Sequence, residues 1–123
     1  MTHTDPATKN AIIAVALKRM ASQLYVPRSP ADFDEEGEIT LCAAACLAFA
    51  GLSVTESPSE ARAFERRIAD SRDSGLIESA FEQIGWSKSS CNYWMQQNDV
   101  TPPDVRKREM LRMLARAVAN VER

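Results

Sequence analysis

The sequence predicts an all-α protein, a single compact domain of about six helices over residues 1–123. Three observations predict this class. Apolar side chains recur three and four residues apart, and no window alternates between apolar and polar residues for long enough to predict a strand. All six prolines fall where a helix could begin or end. The composition, 45% hydrophobic and 26% charged, is typical of a folded globular domain.

The first helix is predicted to begin at Pro6, because proline is favoured at the first helical position, where its missing N–H costs nothing. Residues 1–6, around this start, are expected to fray. One helix face carries apolar side chains at helical spacing, namely Ile13, Leu17, Met20 and Leu24. Pro27 and Pro30 end the helix, since the residue before a proline is driven out of the α conformation.

An acidic loop over residues 27–37 leads into the second helix. The run that starts at Asp32 resembles the opening of an EF-hand calcium loop, but the twelfth position, which needs a bidentate Glu, is Ala43. We therefore expect a solvated loop without a calcium site. The second helix is predicted over residues 38–50, with Gly51 as its C-terminal stop. Its many alanines predict a thin, buried helix that neighbours approach closely.

Capping residues locate the third and sixth helices. Residues 57–60, Ser-Pro-Ser-Glu, match a capping box with proline at the first helical position. The Asp-Ser-Gly sequence at residues 73–75 ends this third helix. The last helix opens after residues 101–104, and its apolar stripe consists of Leu111, Leu114, Val118 and Val121.

The fourth and fifth helices resemble a helix-turn-helix unit, which we predict near residues 76–97. Gly85 supplies the positive φ that the turn requires, and Trp86 is the apolar residue expected directly after it. Phe81, four residues before this glycine, occupies a position where a small residue is usual. Its ring argues against the tight crossing of a DNA-binding helix pair.

The chain carries few residues of the kinds that catalysis or metal binding needs. It has one His and three Cys, so no second histidine is present to serve as a base for a nucleophile. Cys42 and Cys46 share a helix face but lack the further ligands of a closed zinc site. The sequence therefore predicts a protein that is not an enzyme, with no catalytic, cofactor-binding or metal-binding residues.

Charge and apolar runs indicate the compartment. The net charge is −2, with four basic and eight acidic side chains in residues 1–61 against eleven basic and nine acidic in residues 62–123. The first ten residues lack the features of a secretory signal, and the longest apolar run, residues 41–52, is too short to cross a bilayer. The odd number of cysteines favours reduced thiols. We expect a cytoplasmic protein that does not enter membranes.

Three segments carry a resemblance to a known family. Residues 41–47, 94–99 and 109–118 are similar to the Cys-Ala helix, the Trp/Asn-Asp element and the terminal amphipathic helix of a bacterial family of small helical proteins of unknown function. The resemblance implies a compact helical fold without established catalysis. It assigns no functional residue.

Two classes of function are left. The first is a small cytosolic regulator that binds a partner protein, as inhibitors, anti-activators and immunity-type proteins do; a homodimer is compatible with it. Aromatic and arginine side chains dominate interface hot spots. On that ground the interface candidates are Tyr25, Phe33, Trp86, Tyr93, Arg62 and Arg66.

The alternative is a helix-turn-helix transcription regulator that reads DNA with residues 77–96. Its contacts to base edges and phosphates would come from Lys88, Ser89, Ser90, Asn92, Gln96, Arg106 and Lys107. The predicted recognition helix carries a single positive charge, which is a poor electrostatic footprint for DNA. We therefore favour the protein-binding class.

Overall fold

Helix accounts for most of the chain, which confirms the predicted class. The computed structural model describes residues 6–21, 31–33, 35–102 and 104–122, and side chains as far as residue 116. Within these residues the helices are α1 (Pro6–Ala21), α2 (Ala43–Thr55), α3 (Pro58–Ser71), α4 (Gly75–Gln83), α5 (Lys88–Val100) and α6 (Arg106–Glu122), and the strands are β1 (Ala31–Phe33) and β2 (Ile39–Leu41). One cluster of buried apolar side chains draws on all of these elements.

The alanine-rich helix α2 lies at the centre of the packing. Helices α1, α3, α4 and α5 all contact it, and α6 packs mainly on α1. Ala44 and Ala45 are both fully buried, so neighbours enclose α2 on more than one side. Small side chains permit this close approach, and the prediction of a thin, buried helix is confirmed.

The boundaries predicted for this helix are wrong at both ends. It begins at Ala43 rather than at residue 38, with Cys42 as the N-cap, whose Sγ accepts a hydrogen bond from the Ala45 backbone N–H at 3.5 Å. At the other end it continues through Gly51 to Thr55. Gly51 is a packing residue and no C-cap: a Cβ there would lie 2.2 Å from Cδ1 of Ile84. The missing side chain is what lets α2 meet the end of α4.

We expect Gly51→Ala to lower the free energy of unfolding by about 1–2 kcal/mol, because overpacking exceeds the helix propensity that alanine adds. Ile84→Val removes the clashing Cδ1 methyl and costs about 1 kcal/mol by itself. The free energy of unfolding that the double variant loses should therefore be about 1 kcal/mol smaller than the sum of the two single losses. Urea unfolding of the four proteins measures this coupling. Strictly additive losses would show that the two residues do not meet.

A β-hairpin replaces part of the predicted acidic loop. Strand β1 pairs antiparallel with β2 in a register that sets Ala31 opposite Leu41 and Phe33 opposite Ile39. Ala31 and Leu41 are fully buried, which anchors one end of the hairpin in the core. Each strand has three residues, too few for a period-two pattern to be recognised in the sequence. The expectation of a solvated loop over residues 27–37 is therefore wrong for β1, whose residue Ala31 is fully buried.

The cap predicted for α3 is confirmed, and α5 is capped in the same way. Oγ of Ser57 accepts a hydrogen bond from the Glu60 N–H, and Oγ of Ser87 accepts one from the Ser90 N–H, both at 3.1 Å. Gly85 has the expected positive φ, 82°, in the turn between α4 and α5. The helix-turn-helix-like pair is thus present. Predictions that fall on residues 1–5 and 22–30, including fraying at the N-terminus and the end of the first helix, lie outside the described residues.

Candidate functional site

A cleft of about 340 Å³ opens between the turn of the hairpin and helix α3. Its wall on the hairpin side belongs to the turn and the start of β2, its other wall to α3, and α1 contributes one side chain. The lining residues are Arg19, Gly37, Glu38, Ile39, Arg62, Glu65 and Arg66. Local structure and tertiary packing together create this cleft, because its parts are separated by up to 47 positions in the chain.

An ion pair between Arg19 and Glu65 forms the floor of the cleft. The two side chains are 13% and 16% exposed, so both are largely withdrawn from water. Nη2 of Arg19 also donates a hydrogen bond to the carbonyl oxygen of Ile39 at 2.7 Å, and its guanidinium lies 4.9 Å from the ring centroid of Phe49. The Arg19 side chain thereby ties α1 to β2, α2 and α3. The repeated Arg and Glu residues of α3 gave no signal that Glu65 is withdrawn from water.

Two arginines stand at the rim of the cleft. Arg62 and Arg66 are one helical turn apart on α3, and both are exposed. Among the described residues, neither guanidinium makes an ion pair or a hydrogen bond. In contrast, Arg72 just beyond α3 pairs with Asp32 at 2.9 Å. The rim therefore presents two positive charges that no described residue pairs with.

Phe33 lies on β1, the strand that pairs with the hairpin wall of the cleft. Residues directly opposite in an antiparallel pair project from the same face of the sheet. Phe33 is opposite Ile39, a residue that lines the cleft, so the two side chains project from the same face of the hairpin. It is 41% exposed. Of the predicted interface residues, Arg62 and Arg66 thus line the cleft, and Phe33 is the cross-strand neighbour of a lining residue.

The other predicted interface residues do not join them. Trp86 is half-buried, packs against the core, and makes an edge contact with Phe81, with ring centroids 5.6 Å apart. Tyr93 is 47% exposed on α5 and makes a similar contact with Trp94. No residue of α4 or α5 lines the cleft. Tyr25 lies outside the described residues.

The residues predicted to contact DNA differ in how exposed they are and in the contacts that they make. Lys88 is exposed, but its Nζ lies 3.8 Å from Oε1 of Glu78. Arg106 does not face outward as predicted: it is buried, and its Nε donates a hydrogen bond to the carbonyl oxygen of Thr101 at 3.0 Å. Ser89, Asn92 and Gln96 are exposed, and Ser90 and Lys107 are half-buried. Arg106, predicted to contact a phosphate, instead makes a hydrogen bond within the turn before α6.

All three thiols are buried. Burial raises the pKa of Cys42 and of Cys91 to about 11 and places the pKa of Cys46 higher still. The Cys46 thiol donates a weak hydrogen bond to the carbonyl oxygen of Leu41. Because the thiolate is the reactive form, these protonated side chains act as small core residues. Within the described ranges, no three or more His, Cys, Asp and Glu side chains gather into a group able to hold a metal ion.

Comparisons with protein-family models, with curated proteins and with solved structures found no match to this chain. The resemblance of residues 41–47, 94–99 and 109–118 to a bacterial helical family therefore stays a prediction. In the part of the chain that the structure describes, every helix is too short or too polar to cross a bilayer.

Proposed function

We propose that this chain is a non-enzymatic, cytoplasmic regulator that acts by binding a partner protein. The partner docks on the hairpin–α3 surface, which we define as Phe33, Ile39, Arg62 and Arg66. One observation carries the proposal: two guanidiniums without a partner among the described residues line the cleft, and an exposed aromatic ring lies on the strand that pairs with its hairpin wall. Aromatic and arginine side chains are the residue types that contribute most to protein–protein hot spots.

The fixed floor of the cleft supports binding. The ion pair of Arg19 with Glu65 and the bond from Arg19 to Ile39 hold the hairpin against α3. A surface that is already ordered loses less conformational entropy when a partner binds. Glu65 in the floor of the cleft is paired, and the three thiols are buried with raised pKa values.

Affinity capture from a native lysate tests the proposal. We expect the tagged parent protein to retain a partner protein after nuclease treatment, and Phe33→Ala/Arg66→Glu to lose it, because the variant removes an apolar anchor and reverses a charge at the cleft. The control, Tyr93→Ala/Arg108→Glu, makes the same changes at exposed positions on α5 and α6. It should retain the partner.

Other outcomes would count against this proposal. Retention that disappears with nuclease and depends on Lys88 would favour the DNA-binding alternative. Equal loss of the partner from both double variants would show that the hairpin–α3 surface is not the docking site. Circular dichroism of each variant checks that the helices are intact, so that misfolding is not mistaken for lost binding.

A further inference from the structure

The two arginines on the α3 wall of the cleft are suited to bind a carboxylate. A guanidinium presents a planar fork of N–H donors that matches the two oxygens of a carboxylate. Arg62 and Arg66 are one turn apart, with Cβ atoms about 5–6 Å from each other. Both are exposed and unpaired within the described residues, so both can bind an incoming anion without first breaking a bond in the fold.

The floor of the cleft adds little charge of its own. The positive charge of Arg19 is compensated by Glu65, so the positive excess lies at the rim, on Arg62 and Arg66. A bound anion therefore sits on the α3 side and does not need to displace the buried ion pair. The side chains that bind the anion, Arg62 and Arg66, are therefore separate from the buried ion pair that holds the walls of the cleft together.

The opposite wall restricts the size of the anion. Glu35, Glu36 and Glu38 are exposed in the hairpin turn, and Glu38 itself lines the cleft. Nucleic acid carries a charge every few ångströms along its backbone, and its phosphates would be repelled by the carboxylate of Glu35. A short peptide with one or two acidic side chains avoids it. The charge pattern thus favours a local carboxylate over an extended polyanion.

Phe33 offers an apolar contact on the hairpin strand that pairs with the cleft wall. Its side chain projects from the same hairpin face as Ile39 and is 41% exposed. An apolar residue of a ligand would remove part of this ring from water while an acidic neighbour in the ligand reaches α3. Apolar burial supplies affinity, and the charge pair supplies orientation.

From these observations we infer that the cleft binds a short acidic segment of the partner protein, with a carboxylate on Arg62 and Arg66 and an apolar side chain against Phe33. The inference rests on the proposed function and adds the chemistry of the partner. It commits to a peptide carboxylate; phosphate and nucleic acid are tested as alternatives.

Titration of the isotope-labelled full chain with a defined peptide tests the inference. The probe is a synthetic, end-blocked pentapeptide with a central phenylalanine, one glutamate on each side of it and a glycine at each end, and the matched probe has glutamines in place of the glutamates. NMR detects such binding even at a dissociation constant of about 1 mM. We expect the acidic peptide to shift the amide signals of residues 36–39 and 61–66, and the glutamine peptide to leave them unchanged.

Two variants locate the effect. Arg62→Gln/Arg66→Gln should weaken binding of the acidic peptide by at least about tenfold, because both charge-assisted contacts are lost. Arg67→Gln is the control, since Arg67 is exposed on the same helix but does not line the cleft. Its effect should be less than about twofold. Amide spectra of the free variants confirm that the fold is unchanged.

Three results would overturn the inference: no shift with the acidic peptide, equal weakening by the two variants, or shifts at the cleft with inorganic phosphate or a DNA oligonucleotide but not with the peptide. These results are distinguishable from failure of the proposed function. If lysate capture still depends on Phe33 and Arg66 while the acidic peptide does not bind, the partner-binding function stands and the acidic class of ligand is wrong.

Discussion

Replacing Phe81 with alanine is expected to lower the free energy of unfolding by about 3–5 kcal/mol. Phe81 is fully buried on α4, a helix that packs on both α2 and α5. Its ring also meets the edge of Trp86, with centroids 5.6 Å apart. Truncation would leave a cavity between these helices and remove the aromatic contact. Since a domain of this size is stable by about 5–15 kcal/mol, the variant would lose much of its stability.

Chemical denaturation of a short series measures this effect. Phe81→Leu refills most of the cavity and should recover more than half of the loss. Trp94→Ala should cost less than Phe81→Ala, because Trp94 is only half-buried. Tyr93→Ala, on an exposed position of the same helix, is the control, with an expected change below about 1 kcal/mol. If Trp94→Ala proved the most damaging of the series, Phe81 would not be the principal anchor of this helix pair.

Breaking the ion pair beneath the cleft is expected to have the second large effect. Glu65→Leu leaves Arg19 largely withdrawn from water without its carboxylate, and removal of one partner from such a pair typically costs about 3 kcal/mol or more. The hydrogen bond from Arg19 to Ile39 keeps the guanidinium from simply leaving its site. Urea unfolding measures the loss, and Glu82→Leu, the same change at an exposed position on α4, is the control.

A double variant separates the charge effect from packing. Arg19→Met/Glu65→Leu replaces the pair with apolar side chains of similar length, and such replacements are often neutral within about 1–2 kcal/mol. We therefore expect the double variant to be more stable than Glu65→Leu alone. A double variant less stable than either single variant would show that the ion pair itself, with its bond to the hairpin, is needed for the fold.

Most of the helical architecture follows from local sequence. Ser57 and Ser87 cap helices because a side-chain hydroxyl satisfies a backbone N–H a few residues away, and Gly85 takes a positive φ because it has no Cβ. These interactions span three or four positions, so the sequence alone predicts them. The two arginines at the rim of the cleft are likewise recognisable as neighbours from their four-residue spacing.

The cleft as a whole could not be predicted in this way. Phe33 reaches its position through the register of three-residue strands, and Glu65 is distinguished from the exposed charges of α3 only by its contact with Arg19, 46 positions earlier. The sequence by itself determined the helical class, the caps and the turn. Tertiary structure alone decided that α2 continues through Gly51, because the side chain of Ile84 fills the space beside it, and that a hairpin packs against α3. Local hydrogen bonds and backbone preferences are encoded within a few residues, whereas close packing depends on side chains that meet only after the chain has folded.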